Sequence, residues 1–547
     1  MFRSSAFLSG LAAVIAFVLA AALINHGLID SSLPVGPGLT LDESFNIDQG
    51  VYLVDALEQH GPLLFTPTVA REVFGIPRYL PDHPPVGRVV LGIAHQMTSW
   101  LIPGSESTAY NVPAARLGSC FALAITVLLI TEFARRRYGN ATAVCTAIML
   151  IGMPNVMGHA RIASLESVTN LAWVAAMIPL LSWWTKPAPP TTRHAIISGV
   201  LWGLLLLTKV QAIFLPVIVF LWSIWQFRWQ AIRSLAIFGA TGAIVFFAGW
   251  PWLWLDPVDH VFKYLGRTTD RQTLYCWYFG QRYADKAVPW HFPVVMTLFT
   301  LPAWTIIGLL IRSVKSRFDS VEQLLGLLVL LPIAVFAVPN VPVYDGTRLF
   351  LIIMPPLALL AARGFALTLF RQRSEGLNPQ VASQQVTSGP RRLGQLIVWV
   401  LLIVAPLPWI MQPLGISQYG PLAGGNRGAA WLGMEASYWS DALNSDFWKQ
   451  IPEDSVIFVA PVSHQFQLSG LETLVPVVQQ RRLQLRAWDY STDQKAGLLL
   501  LIHRLADLRP ELAKLPPDTT VITEVQHSGV VYAQVIGTFP ESQLQRD

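Results

Sequence analysis

The chain has 547 residues, a formal net charge of +5, 53% hydrophobic residues and only 13% charged residues. Soluble domains carry about 25% charged residues, so this composition excludes a disordered chain, a nucleic-acid-binding basic domain and an ordinary cytosolic enzyme. A mean hydropathy of +0.46 and a pI near 9.1 fit a membrane protein whose short basic clusters, set between apolar runs, report orientation. Its three cysteines, Cys120, Cys145 and Cys276, have neither zinc-site nor disulfide spacing.

A membrane helix needs about 20 mostly apolar residues. Runs that meet or approach this are 6–29, 115–134, 141–157, 163–184, 195–208, 210–227, 233–255, 290–311, 321–338, 348–370 and 393–412. The first run is longer than the 7–15 apolar residues usual in a signal peptide, so an uncleaved helix is expected. The short 195–208 run is separated from the next by Thr208-Lys209, the expected turn of a tight hairpin. Residues 86–103 are apolar enough to span, but orientation argues against it. With Arg3 inside and 86–103 not crossing, the clusters at Arg135–Arg137, Lys186 with Arg193, Arg228 with Arg233, Arg312 with Lys315 and Arg317, and Arg371 to Arg392 all fall inside. A crossing at 86–103 would put every one of them outside, against the positive-inside rule. The expectation is a polytopic α-helical membrane protein of about eleven spans. Its N-terminus would be inside, its C-terminus outside, and 86–103 juxtamembrane or re-entrant.

Two pieces lie outside the membrane in this reading. Residues 30–113 form an acidic outer loop with little β signal, counted with the membrane module 1–412. Residues 413–547 form a small extracytoplasmic α/β domain. Its expected strands are Val456–Ala460, Thr520–Val525 and Val530–Phe539, the last two joined by a turn at His527-Ser528-Gly529. Residues 498–508 read equally as strand or helix. No internal repeat suggests an inverted-repeat transporter.

This topology gathers the unusual polar residues on the outer side: Asp42, Glu43, Arg161, Glu166, Lys209, Tyr278, Gln281, Tyr283, Trp290, His291, Asp345 and Arg348. Ionisable groups at membrane depth are costly and usually face a cavity or mark function. Carboxylates beside cations suit transfer from a phosphate-linked donor. A carboxylate removes a proton from an acceptor hydroxyl, and cations, or a metal held by carboxylates, stabilise the departing phosphate. Each residue also has a plainer role open to it. Asp42-Glu43 would serve as a solvated turn or helix cap, Glu166 as a partner of Arg161, Lys209 as a snorkelling anchor, Arg348 as a partner of Asp345 and His83 as a loop histidine.

The ordered motifs resemble those of the GT-C fold glycosyltransferases, in particular the bacterial protein O-mannosyltransferase-like proteins (family 39) and the aminoarabinose transferases. They are Asp42-Glu43 after the first helix, Asp82-His83-Pro84-Pro85-Val86-Gly87, Pro113-Ala114-Ala115-Arg116-Leu117, Ala160-Arg161 through Glu166, and Leu207-Thr208-Lys209. Tyr278-Phe279-Gly280-Gln281, Pro289 through Pro293 and Asp345 through Phe350 follow. Gly424-Gly425, Met434-Glu435 and Tyr438-Trp439 are similar to the tails of some bacterial members. Two departures stand out: Val210-Gln211 follows Lys209 where Gly-Pro is commoner, and the tail is unlike the sugar-binding repeats of eukaryotic mannosyltransferases. The resemblance implies a polyprenyl-phosphate sugar donor, a glycan, lipid or protein acceptor, and inverting transfer at the non-cytoplasmic face of a prokaryotic plasma (inner) membrane. It implies Asp42 as base, with Glu43 and Glu166 orienting the acceptor or holding a divalent metal (Mg or Mn). Arg348 and Lys209 would meet the donor phosphate. His83, Arg161, Tyr278, Gln281, Tyr283, His291 and Asp345 would line the site. The competing readings are a transporter or flippase of lipid-linked glycans and a non-catalytic scaffold.

Overall fold

The structure, a computed structural model, describes residues 3–24, 36–102, 109–266, 272–315, 317–369, 400, 402–412, 414–437, 440–462, 464–488, 498–509, 512 and 519–537. Four helical stretches within them are long and apolar enough to cross a membrane on length and composition: Val112–Tyr138, Leu165–Trp184, Val210–Gly249 and Arg348–Thr368. Two bent pairs, Asn140–Ile151 with Pro154–Ala160 and Phe292–Thr300 with Ala303–Lys315, raise the number to six, and Phe7–Ala21, Thr192–Leu206 and Ser320–Phe336 are shorter apolar helices. Prolines account for both bends, because a proline removes a helical N–H and clashes with the preceding turn. Pro154 opens the second half of the first pair, which bends by 69°, and Pro302 separates the halves of the second, which bends by 112°. The basic stretch 371–392, Tyr438-Trp439 and residues 393–399 and 401 of the expected span 393–412 fall outside the described residues.

In chain order the helices are α1 (Arg3–Ala21), α2 (Leu41–His60), α3 (Pro67–Phe74), α4 (Pro85–Thr98), α5 (Val112–Tyr138), α6 (Asn140–Ile151), α7 (Pro154–Ala160), α8 (Leu165–Pro179) and α9 (Thr192–Leu206). They continue with α10 (Phe214–Phe227), α11 (Ile232–Gly249), α12 (Trp252–Leu255), α13 (Pro257–Gly266), α14 (Phe292–Thr300), α15 (Ala303–Lys315), α16 (Ser320–Phe336) and α17 (Met354–Leu369). The described residues between α1 and α5 are thus largely helical, and α4, at 14 residues, is shorter than the roughly 20 needed to cross a bilayer. It packs instead across α2 and the start of α5. The α2–α4 crossing needs two glycines. A Cβ on Gly50 would lie 2.5 Å from the Arg88 carbonyl oxygen, and one on Gly92 would lie 2.2 Å from that of Gly50.

After an antiparallel hairpin, β1 (Tyr275–Tyr278) and β2 (Gln281–Ala284), the remaining strands belong to the C-terminal part. These are β3 (Val456–Ala460), β4 (Gln484–Ala487), β5 (Leu498–Ile502), β6 (Val521–His527) and β7 (Val530–Ile536), in the sheet order β4-β3-β5-β7-β6. β4 and β5 flank β3 in parallel, while β7 pairs antiparallel with both β5 and β6. Of the ambiguous 498–508 stretch, Leu498–Ile502 form β5, a fully apolar strand central in the sheet, and 503–508 follow as a turn. Ser528 and Gly529, both at positive φ, make the expected β6–β7 turn. The start of the tail lies directly on the helices. Gly420 N–H donates to the Phe299 carbonyl at 2.5 Å, and a Cβ on Gly415 would meet the Gly158 Cα at 2.8 Å.

Replacing Gly92 by Val forces the α2–α4 crossing apart and should cost about 1–3 kcal/mol or more, as overpacking does. A fall in melting temperature and folded yield in detergent is expected. Gly10→Ala, in open space, should leave both unchanged.

Candidate active site

Asp42 and Glu43 are neighbours in the first turn of α2 and face different surroundings. Thr40 precedes the helix in extended conformation, and its N–H and hydroxyl donate to Glu43 Oε2 at 2.8 and 3.1 Å. Arg116 of α5 completes the grip: its Nε donates to Glu43 Oε1 at 2.8 Å and its Nη2 to Oε2 at 2.8 Å. The Ala163 N–H adds a 2.6 Å bond to Oε1. Arg116 also caps the carbonyls of Pro37 and Gly38. Glu43 is buried and pins the start of α2 to α5 and to the turn before α8. Asp42, one residue earlier, is left to face the pocket.

Arg348 lies just after a tight turn in which Asp345 and Gly346 have φ of 55° and 61°. Its guanidinium reaches three carboxylates: Nε to Glu166 Oε1 at 2.6 Å, Nη2 to Asp42 Oδ2 at 2.5 Å and Nη1 to Asp345 Oδ2 at 3.1 Å. Lys209 Nζ joins Glu166 Oε1 at 2.5 Å. Lys209 is buried, so it does not snorkel to water. The turn that carries it forms despite Val210-Gln211: Lys209 is extended and Val210–Ile213 follow as a 3₁₀ turn. The Val86 N–H donates to the Leu207 carbonyl at 3.0 Å, and a Cβ on Gly87 would meet Leu165 Cδ2 at 2.9 Å. The Pro-Pro-Val-Gly start of α4 is therefore wedged between the Lys209 turn and the Glu166 helix. His83 stands just before it, and burial, with Arg88, Lys209 and Arg348 nearby, pushes its imidazole down to about 3 despite Asp82.

Asp42, Glu166, Asp345 and Arg348, with Thr40, Asn46, His159 and Thr347, line a narrow cleft of about 20 Å³, room for about one water molecule. The Asp42 side chain keeps 45% of its accessible surface, against 3% for Glu166. Burial of the surroundings raises the Asp42 pKa, and Arg348 works against that rise.

Several expected site residues sit elsewhere. Arg161 does not meet Glu166; it is buried and donates to the carbonyls of Gln412, at 2.7 Å, and Ile410. Tyr278 and His291 form their own pair at 2.7 Å, Tyr283 donates to Gln281 at 2.7 Å, and none of these four lines the cleft. Glu43 borders the cleft with both oxygens already engaged. Sequence reasoning passed over Thr347, whose hydroxyl accepts from Asn155 Nδ2 at 2.9 Å, and His159, which pairs through Nδ1 with the Asn155 carbonyl oxygen at 2.8 Å. The Asn155/His159 spacing of four on a short polar-bearing helix was the available signal. It also passed over Arg504 of the tail, which bonds Asp345 Oδ1 through Nη2 at 3.0 Å.

Comparison with known proteins gives a family match over part of the chain and a likeness of fold. Residues 82–254, which include His83, Glu166 and Lys209, match the family described as dolichyl-phosphate-mannose-protein mannosyltransferase. The structure is similar to that of ArnT from Cupriavidus metallidurans in the apo state, with TM-score 0.50 and 13% identity over 96% of this chain and 97% of that one. ArnT bound to undecaprenyl phosphate is similar at TM-score 0.48 and 14% identity over the same shares. The apo oligosaccharyltransferase of Archaeoglobus fulgidus is similar at TM-score 0.46 and 12% identity, over 89% of this chain and 65% of that one. No curated protein sequence matches. The family match and the ArnT-like fold bear out the resemblance to membrane glycosyltransferases that the motifs carry. Residues 82–254 are thus similar to that mannosyltransferase family, and the fold is similar to that of ArnT.

Glu43→Gln leaves Arg116 buried with a weakened partner and should cost about 3–5 kcal/mol, seen as a lost folded fraction on size exclusion. Asp42→Asn, at a half-open position, should keep wild-type abundance. Equal abundance for both variants would contradict the structural assignment of Glu43.

Proposed function

We propose that the protein transfers a sugar from a polyprenyl-phosphate-linked donor to an acceptor hydroxyl at the non-cytoplasmic face, with inversion and with Asp42 as the base. The proposal takes its donor class from the family description, whose substrate is a lipid-phosphate sugar. The observation that carries the site assignment is the sharing of Arg348 by Asp42 and Glu166 beside Lys209. We read the apolar runs as about eleven spans, with the N-terminus inside and the C-terminal domain outside. The acceptor is a glycan, lipid or protein hydroxyl.

Arg348 and Lys209 are the cations for the donor phosphate. An Arg fork suits phosphate as it suits carboxylate. The phosphate competes with Asp42 for Nη2 of Arg348, and Asp42 is the more exposed of that arginine's partners. Its release yields a free carboxylate beside the donor sugar. Asp42 then takes the acceptor proton as the acceptor oxygen bonds to the anomeric carbon. The bond from that carbon to the phosphate oxygen breaks, and both its electrons leave with polyprenyl phosphate. Attack opposite the leaving group inverts the centre, as an inverting glycosidase does with water. Glu166, tied to Lys209 and Arg348, keeps the two cations in place.

The residues present do not fit a divalent metal held by Glu43 and Glu166. Both Glu43 oxygens accept hydrogen bonds from Arg116 and from backbone groups, and Glu166 Oε1 is shared by two cations. Among the described residues no group of three His, Cys, Asp or Glu side chains is placed to hold a metal ion. No step is assigned to one.

Asp42→Asn should lower turnover by about 10²–10⁴-fold, the usual contribution of a general base. The measurement is loss of polyprenyl-phosphate sugar by mass spectrometry in detergent with native lipid extract. The base must be ionised, so turnover should rise with pH through the Asp42 pKa. Burial places that acid limb above the usual carboxylate value of about 3.9. Wild-type turnover retained in the variant would remove Asp42 from this role.

A further inference from the structure

The ion cluster does not balance within the membrane module. Asp42, Glu166 and Asp345 carry three negative charges, and Lys209 and Arg348 carry two positive ones. The third cation comes from the C-terminal domain: Arg504 Nη2 lies 3.0 Å from Asp345 Oδ1, while Arg348 holds Oδ2 of the same carboxylate at 3.1 Å. Asp345 is thus clamped between two guanidinium groups, one from each part of the chain.

Arg504 is itself firmly placed. It follows β5 by two residues, and the His503 N–H donates to the Tyr532 carbonyl of β7 at 2.8 Å. Its Nε pairs with Asp507 Oδ2 at 2.6 Å. The next two N–H groups, of Leu505 and Ala506, are held by the buried carboxylate of Glu435 at 2.7 and 2.9 Å. The Ala506 carbonyl accepts from Arg282 of the β1–β2 hairpin at 2.6 Å. Glu435 thereby acquires a role that its motif in the tail did not suggest: it seats the loop that presents Arg504.

We propose that Arg504 is a positioning residue of the transferase site. By holding Asp345 it aims Arg348 and offsets part of that carboxylate's charge, its own charge being shared with Asp507, so that an anionic phosphate is admitted. The C-terminal domain is then part of the active site and not an appended module. This rests on the transferase reading above. Without Arg504 the cluster is net negative, and Asp345 pulls on Arg348 alone. Loss of one nearby unit charge, at an effective dielectric constant of about 20, changes anion affinity about tenfold.

The test uses the full chain in detergent, with undecaprenyl phosphate as the binding probe and donor loss from lipid extract as the turnover assay. Arg504→Met should weaken undecaprenyl phosphate binding and raise the apparent KM for donor, each about tenfold. The acid limb of the pH profile should also move upward, because a net negative field disfavours ionised Asp42. Arg504→Lys, which restores the charge, should return most of the affinity and the pH profile. Arg282→Met removes a contact of the same loop without altering the cluster's charge, and should leave the affinity near wild type. Melting temperatures identify any variant that fails to fold, and for such a variant the Lys and Arg282 comparisons decide. An unchanged affinity in folded Arg504→Met overturns the proposal, as does an equal loss in Arg282→Met or Arg504→Lys. Wild-type protein that neither binds the probe nor consumes donor overturns the transferase reading, and this proposal falls with it.

Discussion

Arg348 needs compensation that no single neighbour provides. Its guanidinium is mostly enclosed at the mouth of an apolar helical assembly, where an unpaired charge costs several kcal/mol. It draws on three carboxylates: Asp345, three residues earlier; Glu166, 182 residues earlier; and Asp42, 306 residues earlier. Each is met by a different nitrogen of the fork. A lysine, with one compact ammonium on a flexible stem, has no such geometry. The start of α2, the start of α8 and the 345–348 turn must therefore converge for this cation to be tolerated. The second cation, Lys209, follows because Glu166 Oε1 is the shared corner.

Much of what surrounds the cleft serves to hold these loops without touching a substrate. The Asp82–Arg88 pair, with both oxygens engaged at 2.8 Å, stiffens the Asp-His-Pro-Pro entry to α4. Gly50 and Gly92 let α4 lie against α2 at backbone distance, which brings Gly87 and Val86 to the Lys209 turn. Glu43 and Arg116 do the same for α2 and α5. A sequence motif marks a position that matters and is silent on whether the side chain meets a ligand or a neighbouring helix. Asp42 and Glu43 illustrate the point. Consecutive helical residues differ in direction by about 100°, so one faces the cleft and the other the helix bundle.

The sequence was informative where the chemistry is local. Apolar runs marked the helices, the short α9 among them, though the bends at Pro154 and Pro302 are not readable from hydropathy alone. Strand β3 and the β6–β7 turn follow from alternation and from a Ser-Gly pair suited to positive φ. The five charged groups of the cleft were legible because all were unusual ionisable residues assigned to one side. What escaped was non-local. The Arg161 side chain could not be aimed from spacing, and in the fold it serves the carbonyls of Ile410 and Gln412. The Tyr278–His291 pair is a contact between residues 13 apart, on either side of β2 and the loop that follows it. Arg504 lies 159 residues from Asp345, in a domain that composition alone marks as separate and soluble-like.

Exposure within the cluster divides the work among chemically similar groups. Glu166 and Lys209 are nearly sealed, and a sealed pair cannot trade partners without leaving a bare charge in low dielectric. They are suited to hold a geometry. Asp42 retains nearly half of its accessible surface, and an ion pair with that much water contact is worth only about 0–1 kcal/mol. It can surrender Arg348 to an incoming anion at little cost and be solvated, or meet an acceptor hydroxyl, once it does. The same three-way fork thus combines permanent and exchangeable contacts. The exchangeable one falls on the carboxylate that the cleft leaves open, and the base assignment follows from this difference in burial more than from the acidic pair in the sequence.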